Sequence, residues 1–313
     1  MARDKKKMRS FRVYNGAGDD YVESIVPPHL AHSSWINYEA SSAMAVLEVL
    51  SDELKDLKKK VSVRRVHKAR VAIRRWFSVW NVLEQDGWQS KHFKKSVSKP
   101  LKNVLKSLGE LRDTDVALEL AENLGVTEET LDEWNKQRKR LKKHLKKSID
   151  LIDAKDLFKE VEDYLQGRAE KVEKSVSNKR AKESAFDHLD SYLAREEDLV
   201  RGLAQTAQSP EELHKFRLGI KRWRYLLTEF FGLTNLELVK AQQVLGQIHD
   251  LDRLTPVLQS HPGEDLALSR IRDRRAQLLK EIAAMRTRLP FGLRPHITSL
   301  KRGSAADLED LRT

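Results

Sequence analysis

Val66-His67-Lys68-Ala69-Arg70-Val71-Ala72-Ile73-Arg74-Arg75-Trp76 and Leu213-His214-Lys215-Phe216-Arg217-Leu218-Gly219-Ile220-Lys221-Arg222-Trp223 are two writings of one pattern. In each, apolar residues recur three and four positions apart between cations, which is the period of an amphipathic helix. A second block follows each copy, as Leu108-Gly109-Glu110-Leu111-Arg112-Asp113-Thr114-Asp115 and Leu245-Gly246-Gln247-Ile248-His249-Asp250-Leu251-Asp252. His67 to His214 spans 147 positions and Leu108 to Leu245 spans 137, so the first copy holds about ten more residues between its blocks. Two blocks repeated in the same order indicate an internal duplication and one enlarged site between two halves.

Helices are expected near 34–60, 62–85, 90–110, 114–124 and 127–152, and again near 183–207, 211–231, 236–249, 251–259 and 264–287. Ser33 or Ser34 caps the first, whose apolar positions include Met44, Leu47, Leu50, Leu54 and Leu57. Pro210 followed by Glu211 and Glu212 suits a first helical turn, where the missing N–H costs nothing and acidic side chains complement the dipole. The domain organisation that follows is an irregular leader over 1–32, a first repeat over about 33–153, a connecting helix over about 154–182, a second repeat over about 183–287, and an irregular tail over 288–313.

Composition agrees with a helical class. At 313 residues and 40% hydrophobic content the chain can bury a core. Charged residues make up 34%, against 13 Gly and 8 Pro, a balance that favours long helices and an all-α fold. Lys and Arg number 59 against 47 Asp and Glu, for a net charge of +12 and a pI near 9.6, so the field of the chain attracts polyanions. The lack of cysteine excludes disulfides, thiolate nucleophiles and Cys-ligated zinc. The basic start, Met1 to Lys7, leads into no apolar stretch of signal-peptide length, and no segment approaches 18 uninterrupted apolar residues. A cytoplasmic protein without membrane contact is expected.

At about 100° per residue from His67, Arg70 falls near 300°, Arg74 near 340°, Lys68 near 100°, Arg75 near 80° and Arg64 near 60°. The cations share one side, and Val66, Ala69, Ile73, Trp76, Phe77 and Trp80 take the other. The second copy puts His214, Lys215, Arg217, Lys221 and Arg222 on its cationic side, with Arg224 at the border. Like charges one turn apart repel until an anion arrives. Arginine forks suit bidentate phosphate contacts, lysines add point charges, and histidine donates to phosphate and gains charge on protonation. Trp76 and Trp223 point to the core side, which weighs against base stacking on single-stranded nucleic acid.

The pairs Asp113/Asp115 and Asp250/Asp252 are too few carboxylates for a metal site, so no metal or other cofactor is expected. They are assigned structural and positioning roles, Asp113 as a helix N-cap and Asp115 as a partner holding a motif arginine. Gly109 and Gly246 are expected to permit close helix approach. The basic run from Lys136 to Lys147 is either a solvated helix face or a wall of the site.

His-Lys-x-Arg followed by a basic pair and Trp, then Leu-Gly-x-x-x-Asp-x-Asp, all given twice, resemble the CHAD family of histidine-containing α-helical domains over roughly residues 33–287. The resemblance implies two helical bundles related by a pseudo-twofold axis, with a basic cavity or pore between them that binds inorganic polyphosphate. Its lining would comprise His67, Lys68, Arg70, Arg74, Arg75, His214, Lys215, Arg217, Lys221 and Arg222, with Lys102 and Lys106 adding to the wall. The Glu-x-Glu-x-Lys signature of the CYTH triphosphatase domain, to which the family is often joined, is missing: Glu160-Val161-Glu162 continues as Asp163-Tyr164. The expectation is a stand-alone, non-enzymatic polyphosphate-binding module, associated with polyphosphate granules. Nonspecific nucleic-acid binding is the alternative, ahead of a phosphoanhydride-cleaving enzyme, for which a nucleophile and a Gly-rich phosphate loop are lacking.

Overall fold

The spacing of Ala43, Leu47, Leu50, Leu54 and Leu57 becomes the fully buried stripe of helix α1, Trp35–Lys59. The computed structural model describes residues 9–14, 21–26, 35–85, 91–150, 152, 154–175 and 185–293. Among these, α1 is followed by α2 (Val63–Gln85), α3 (Lys91–Phe93), α4 (Lys99–Leu124), α5 (Glu128–Asp150) and α6 (Ala154–Ser175). Then come α7 (Ala185–Thr206), α8 (Pro210–Phe231), α9 (Leu236–Gln259) and α10 (Asp265–Arg286), and Lys94–Ser98 form a π-helical turn leading into α4. The fold is helical as expected, apart from one antiparallel hairpin, Arg9–Tyr14 with Tyr21–Val26, inside the stretch expected to be an irregular leader. Ser33 and Ser34 lie outside the described residues.

The packing order is the same in both halves. α1 lies on α2, α2 on α4 and α4 on α5; α7 lies on α8, α8 on α9 and α9 on α10. α6 packs on α1, and the halves meet where α2 contacts α8 and where α4 contacts α9 and α10. Trp76 and Trp223 are wholly buried on the core sides of α2 and α8. Glu264, at the entry to α10, accepts from the Thr127 hydroxyl at 2.7 Å and the Thr127 amide at 3.2 Å, a further tie between halves.

Local chemistry sets the helix ends. Ser209 and Glu212 form a reciprocal capping box at the start of α8, with Pro210 in the first turn. Gly125, at φ 71°, closes α4 in the left-handed conformation that an L side chain rarely adopts. Two breaks expected from the sequence do not exist: α4 and α9 each run unbroken through the Leu-Gly blocks. Asp113 is therefore inside a helix and caps nothing. The start of the expected tail is also ordered against the core, with Leu289 and Leu293 buried and Phe291 stacked on Trp223 at 5.6 Å between centroids.

Candidate anion-binding site

Where α2 crosses α8, His67, Arg70 and Arg74 face His214, Arg217 and Lys221, the same three register positions of each motif. α4 adds Arg112 and Asp113, and α9 adds His249, Asp250 and Arg253. Arg70, Arg74, Arg217 and Lys221 are half-buried, and their mutual repulsion adds to the cost of desolvation. Burial first, then Arg74, pushes Arg70 down to about 10, which leaves it charged at neutral pH. Burial, then Arg74, Arg217 and Arg70, pushes Lys221 down to about 6, so its amine is largely neutral at pH 7 without a counter-anion.

The Nε atoms of Arg70, Arg74 and Arg217 are buried and have no acceptor among the described residues. A buried donor without an acceptor costs about 1–3 kcal/mol, more when charged. Three from equivalent faces of two helices mark a place where acceptor oxygens are wanted. Asp113 and Asp250 only partly offset the charge: Asp113 is engaged by Arg253 Nη1 at 2.6 Å, and burial raises the Asp250 carboxyl, an effect Arg217 opposes.

The remaining cations expected in the lining lie elsewhere. Lys68 pairs with Glu53 on α1 at 3.3 Å, Arg75 with Glu229 on α8 at 2.5 Å, and Arg222 with Glu196 on α7 at 2.9 Å. These are the residues one position beyond the inner ones, on the flank where a neighbouring helix supplies a carboxylate. Lys102 sits over the Phe77 ring at 5.6 Å, and Lys106 and Lys215 are exposed.

The second aspartates also hold different partners from those expected. Asp115 Oδ1 accepts from Arg138 Nε on α5 at 2.6 Å, and Asp252 Oδ1 from Arg275 Nε on α10 at 2.5 Å, both across 23 positions. Neither holds a motif arginine. Within the described helices, Gly219 rather than Gly109 or Gly246 permits close helix approach. A Cβ at Gly219 would meet Val200 Cγ2 at 3.0 Å, one at Gly246 only Arg217 Nε at 3.9 Å, and one at Gly109 nothing within 4 Å.

A cavity of about 440 Å³ adjoins the cluster between α4, α5 and α9. It shares Asp113, Asp250 and Arg253 with the cluster, but Val116, Leu120, Trp134, Leu141 and Leu254 give it an apolar floor unsuited to a polyanion. The Lys136 to Lys147 run forms the largely exposed face of α5, and none of its residues is among the largest charges acting on the inner arginines and histidines. Sequence reasoning passed over Arg112 and His249, although both stand at one position of the repeated Leu-Gly block. Among the described residues no group of three or more His, Asp or Glu is placed to hold a metal ion, and no helix is long and apolar enough to cross a membrane.

Helices packed around a half-buried cationic centre define the class as an all-α helical domain with basic inner helix faces. The chain belongs to the CHAD domain family, whose pattern matches residues 43–259. It is similar in fold to the CHAD domain from the plant Ricinus communis, at 17% identity and a TM-score of 0.57, covering 96% of each chain. It is also similar to PptA from Streptomyces chartreusis, at 16% identity and a TM-score of 0.50, covering 83% of this chain and 98% of that one. No curated protein matches it.

Proposed function

We propose that the chain binds inorganic polyphosphate without turning it over, through the inner faces of α2 and α8, in the cytoplasm and at polyphosphate granules. The observation that carries this is the set of buried Nε donors on Arg70, Arg74 and Arg217, left without acceptors among the described residues beside a lysine that needs an anion to stay charged. Phosphate oxygens supply both acceptors and charge. The two halves act as repeats around one basic cavity, each giving a histidine and two cations at the same spacing. The inner groups are donors and cations rather than a nucleophile with its base, which favours binding over turnover.

Titration with long-chain polyphosphate tests the assignment. Arg70→Ala with Arg217→Ala is expected to weaken binding by on the order of a hundredfold, since each removes a charge-assisted hydrogen bond, with helical content unchanged by circular dichroism. Unchanged affinity in the double variant sinks the site. The second reading, nonspecific nucleic-acid binding, is favoured by the exposed cations of α5, including Lys139, Arg140, Lys143, Lys146 and Lys147. In that case the double variant binds as the wild type does.

A further inference from the structure

His249 stands where the first half has Arg112: each lies three positions after the glycine of Leu-Gly and precedes Asp. On α2 and α8 the matching positions are His67 and His214. The first half therefore sets a histidine beside a guanidinium, itself paired with the exposed Glu119 at 3.5 Å, and Arg112 is the strongest cationic influence on His67. The second half sets a histidine beside another histidine. His214 Nδ1 and His249 Nδ1 are 3.2 Å apart, with ring centroids at 4.5 Å. At that distance one Nδ1 carries the hydrogen and the other offers its lone pair, whereas two imidazolium rings would turn N–H against N–H. The pair in this geometry holds at most one positive charge.

We propose that His214 and His249 form a proton-gated phosphate subsite, in which a phosphoryl group of the bound polyanion enters together with a proton from solvent. The proton converts the accepting imidazole into a donor, both rings turn N–H groups to phosphate oxygens, and the second half gains a cation where the first half has Arg112. This rests on the polyphosphate reading above and adds the regulation of that site by pH.

The surroundings favour gating. α2 directs Arg70 and Arg74 at the pair, and α8 contributes Arg217 and Lys221. α9 contributes Arg253, and Asp250 and Asp113 face the same arginines from α9 and α4. Of the charged groups on α7 and α10, Glu196 engages Arg222, Arg274 engages Gln247, Arg275 engages Asp252, and Arg286 lies over the Phe216 ring. Burial, then Arg217 and His214, holds His249 down at about 4, and burial and Arg217 hold His214 below the usual imidazole range. A bound polyanion reverses the cationic part of that field and raises both. Proton uptake therefore occurs between the free and bound values. Affinity climbs as pH falls through the bound value and levels off below about 4, where free His249 is already charged.

Calorimetric titration of the full chain with long-chain polyphosphate, at pH 6.5 in two buffers of different ionisation enthalpy, counts the protons taken up. Lys221 also takes up a proton, so the decisive comparison is wild type against His249→Arg, which makes the second half like the first. Expected is an uptake lower by up to about one proton in His249→Arg, and an affinity that gains up to about tenfold less per pH unit on acidification. Equal uptake in the two proteins overturns the proposal. Should the variant fail to fold, ¹⁵N-histidine spectra of the wild type decide. Conversion of one ring of the pair to imidazolium on adding polyphosphate at pH 6.5 supports the subsite, and unchanged tautomers overturn it. No binding at any pH defeats the polyphosphate reading itself, whereas binding without differential uptake defeats the subsite alone.

Discussion

Arg75 on α2 grips Glu229 on α8 with two parallel bonds, Nε to Oε1 at 2.5 Å and Nη2 to Oε2 at 2.8 Å. The carboxylate is only 5% exposed, and hydrogen bonding to it first, with its charge, raises the Arg75 pKa against the effect of burial. A guanidinium held on both prongs has little left for a phosphate. Arg75 thus joins the halves, while Arg74, one residue earlier, faces the cationic centre.

Arg75→Met is expected to lower stability by about 2–3 kcal/mol in urea denaturation, because it leaves a buried carboxylate unpaired while solvent reaches part of the site. Polyphosphate affinity should change by less than about threefold. A loss as large as that of the Arg70/Arg217 double variant would place Arg75 in the site.

The matched pairs Arg138–Asp115 and Arg275–Asp252 differ in burial: the Asp115 side chain is 2% exposed and that of Asp252 20%. Arg138→Met should therefore cost about 3 kcal/mol and Arg275→Met about 1 kcal/mol, since water can resolvate the second carboxylate. Equal losses in denaturant melts would mean that the aspartates are not anchored by these arginines.

Lys221→Met should separate stability from binding. The folded value of about 6 lies below the ordinary lysine value of 10.5, so between them the unfolded chain binds more protons and wild-type stability rises with pH. The charged lysine costs most below about pH 6 and nothing once both states are neutral. The variant should gain on the order of a few kcal/mol near pH 6, less by pH 9, while polyphosphate affinity falls about tenfold. Melting temperatures over that range check the slope; a variant less stable than wild type at pH 6 contradicts it.

The helical periodicity of α1, α2 and α8 placed these elements within a residue or two, because their apolar stripes are long, and Ser209 and Pro210 mark the start of α8. The division of the motif cations was also latent in the angles. His67, Arg70 and Arg74 span about 300° to 360°, and Arg64, Lys68 and Arg75 about 60° to 100°. What periodicity could not supply was the partners: Glu53, Glu196 and Glu229 reach across from other positions in the fold and claim the second group. Asp113 misled because aspartate favours caps, yet here Arg253 satisfies its carboxylate from α9 and the helix runs on. Gly219 was overlooked because its matched residue in the first copy is Ala72, and only the approach of Val200 shows that a methyl group in the second copy would be tightly packed.

The most direct test of the central claim is competition between long-chain polyphosphate and charge-matched double-stranded DNA for the full chain at about 0.15 M ionic strength, where loose polyelectrolyte contacts are weakened. The inner cluster between α2 and α8 predicts that polyphosphate wins by orders of magnitude and that Arg70→Ala with Arg217→Ala removes the advantage. Equal competition by DNA, unaffected by that double substitution, would contradict it and leave the exposed face of α5 as the binding surface.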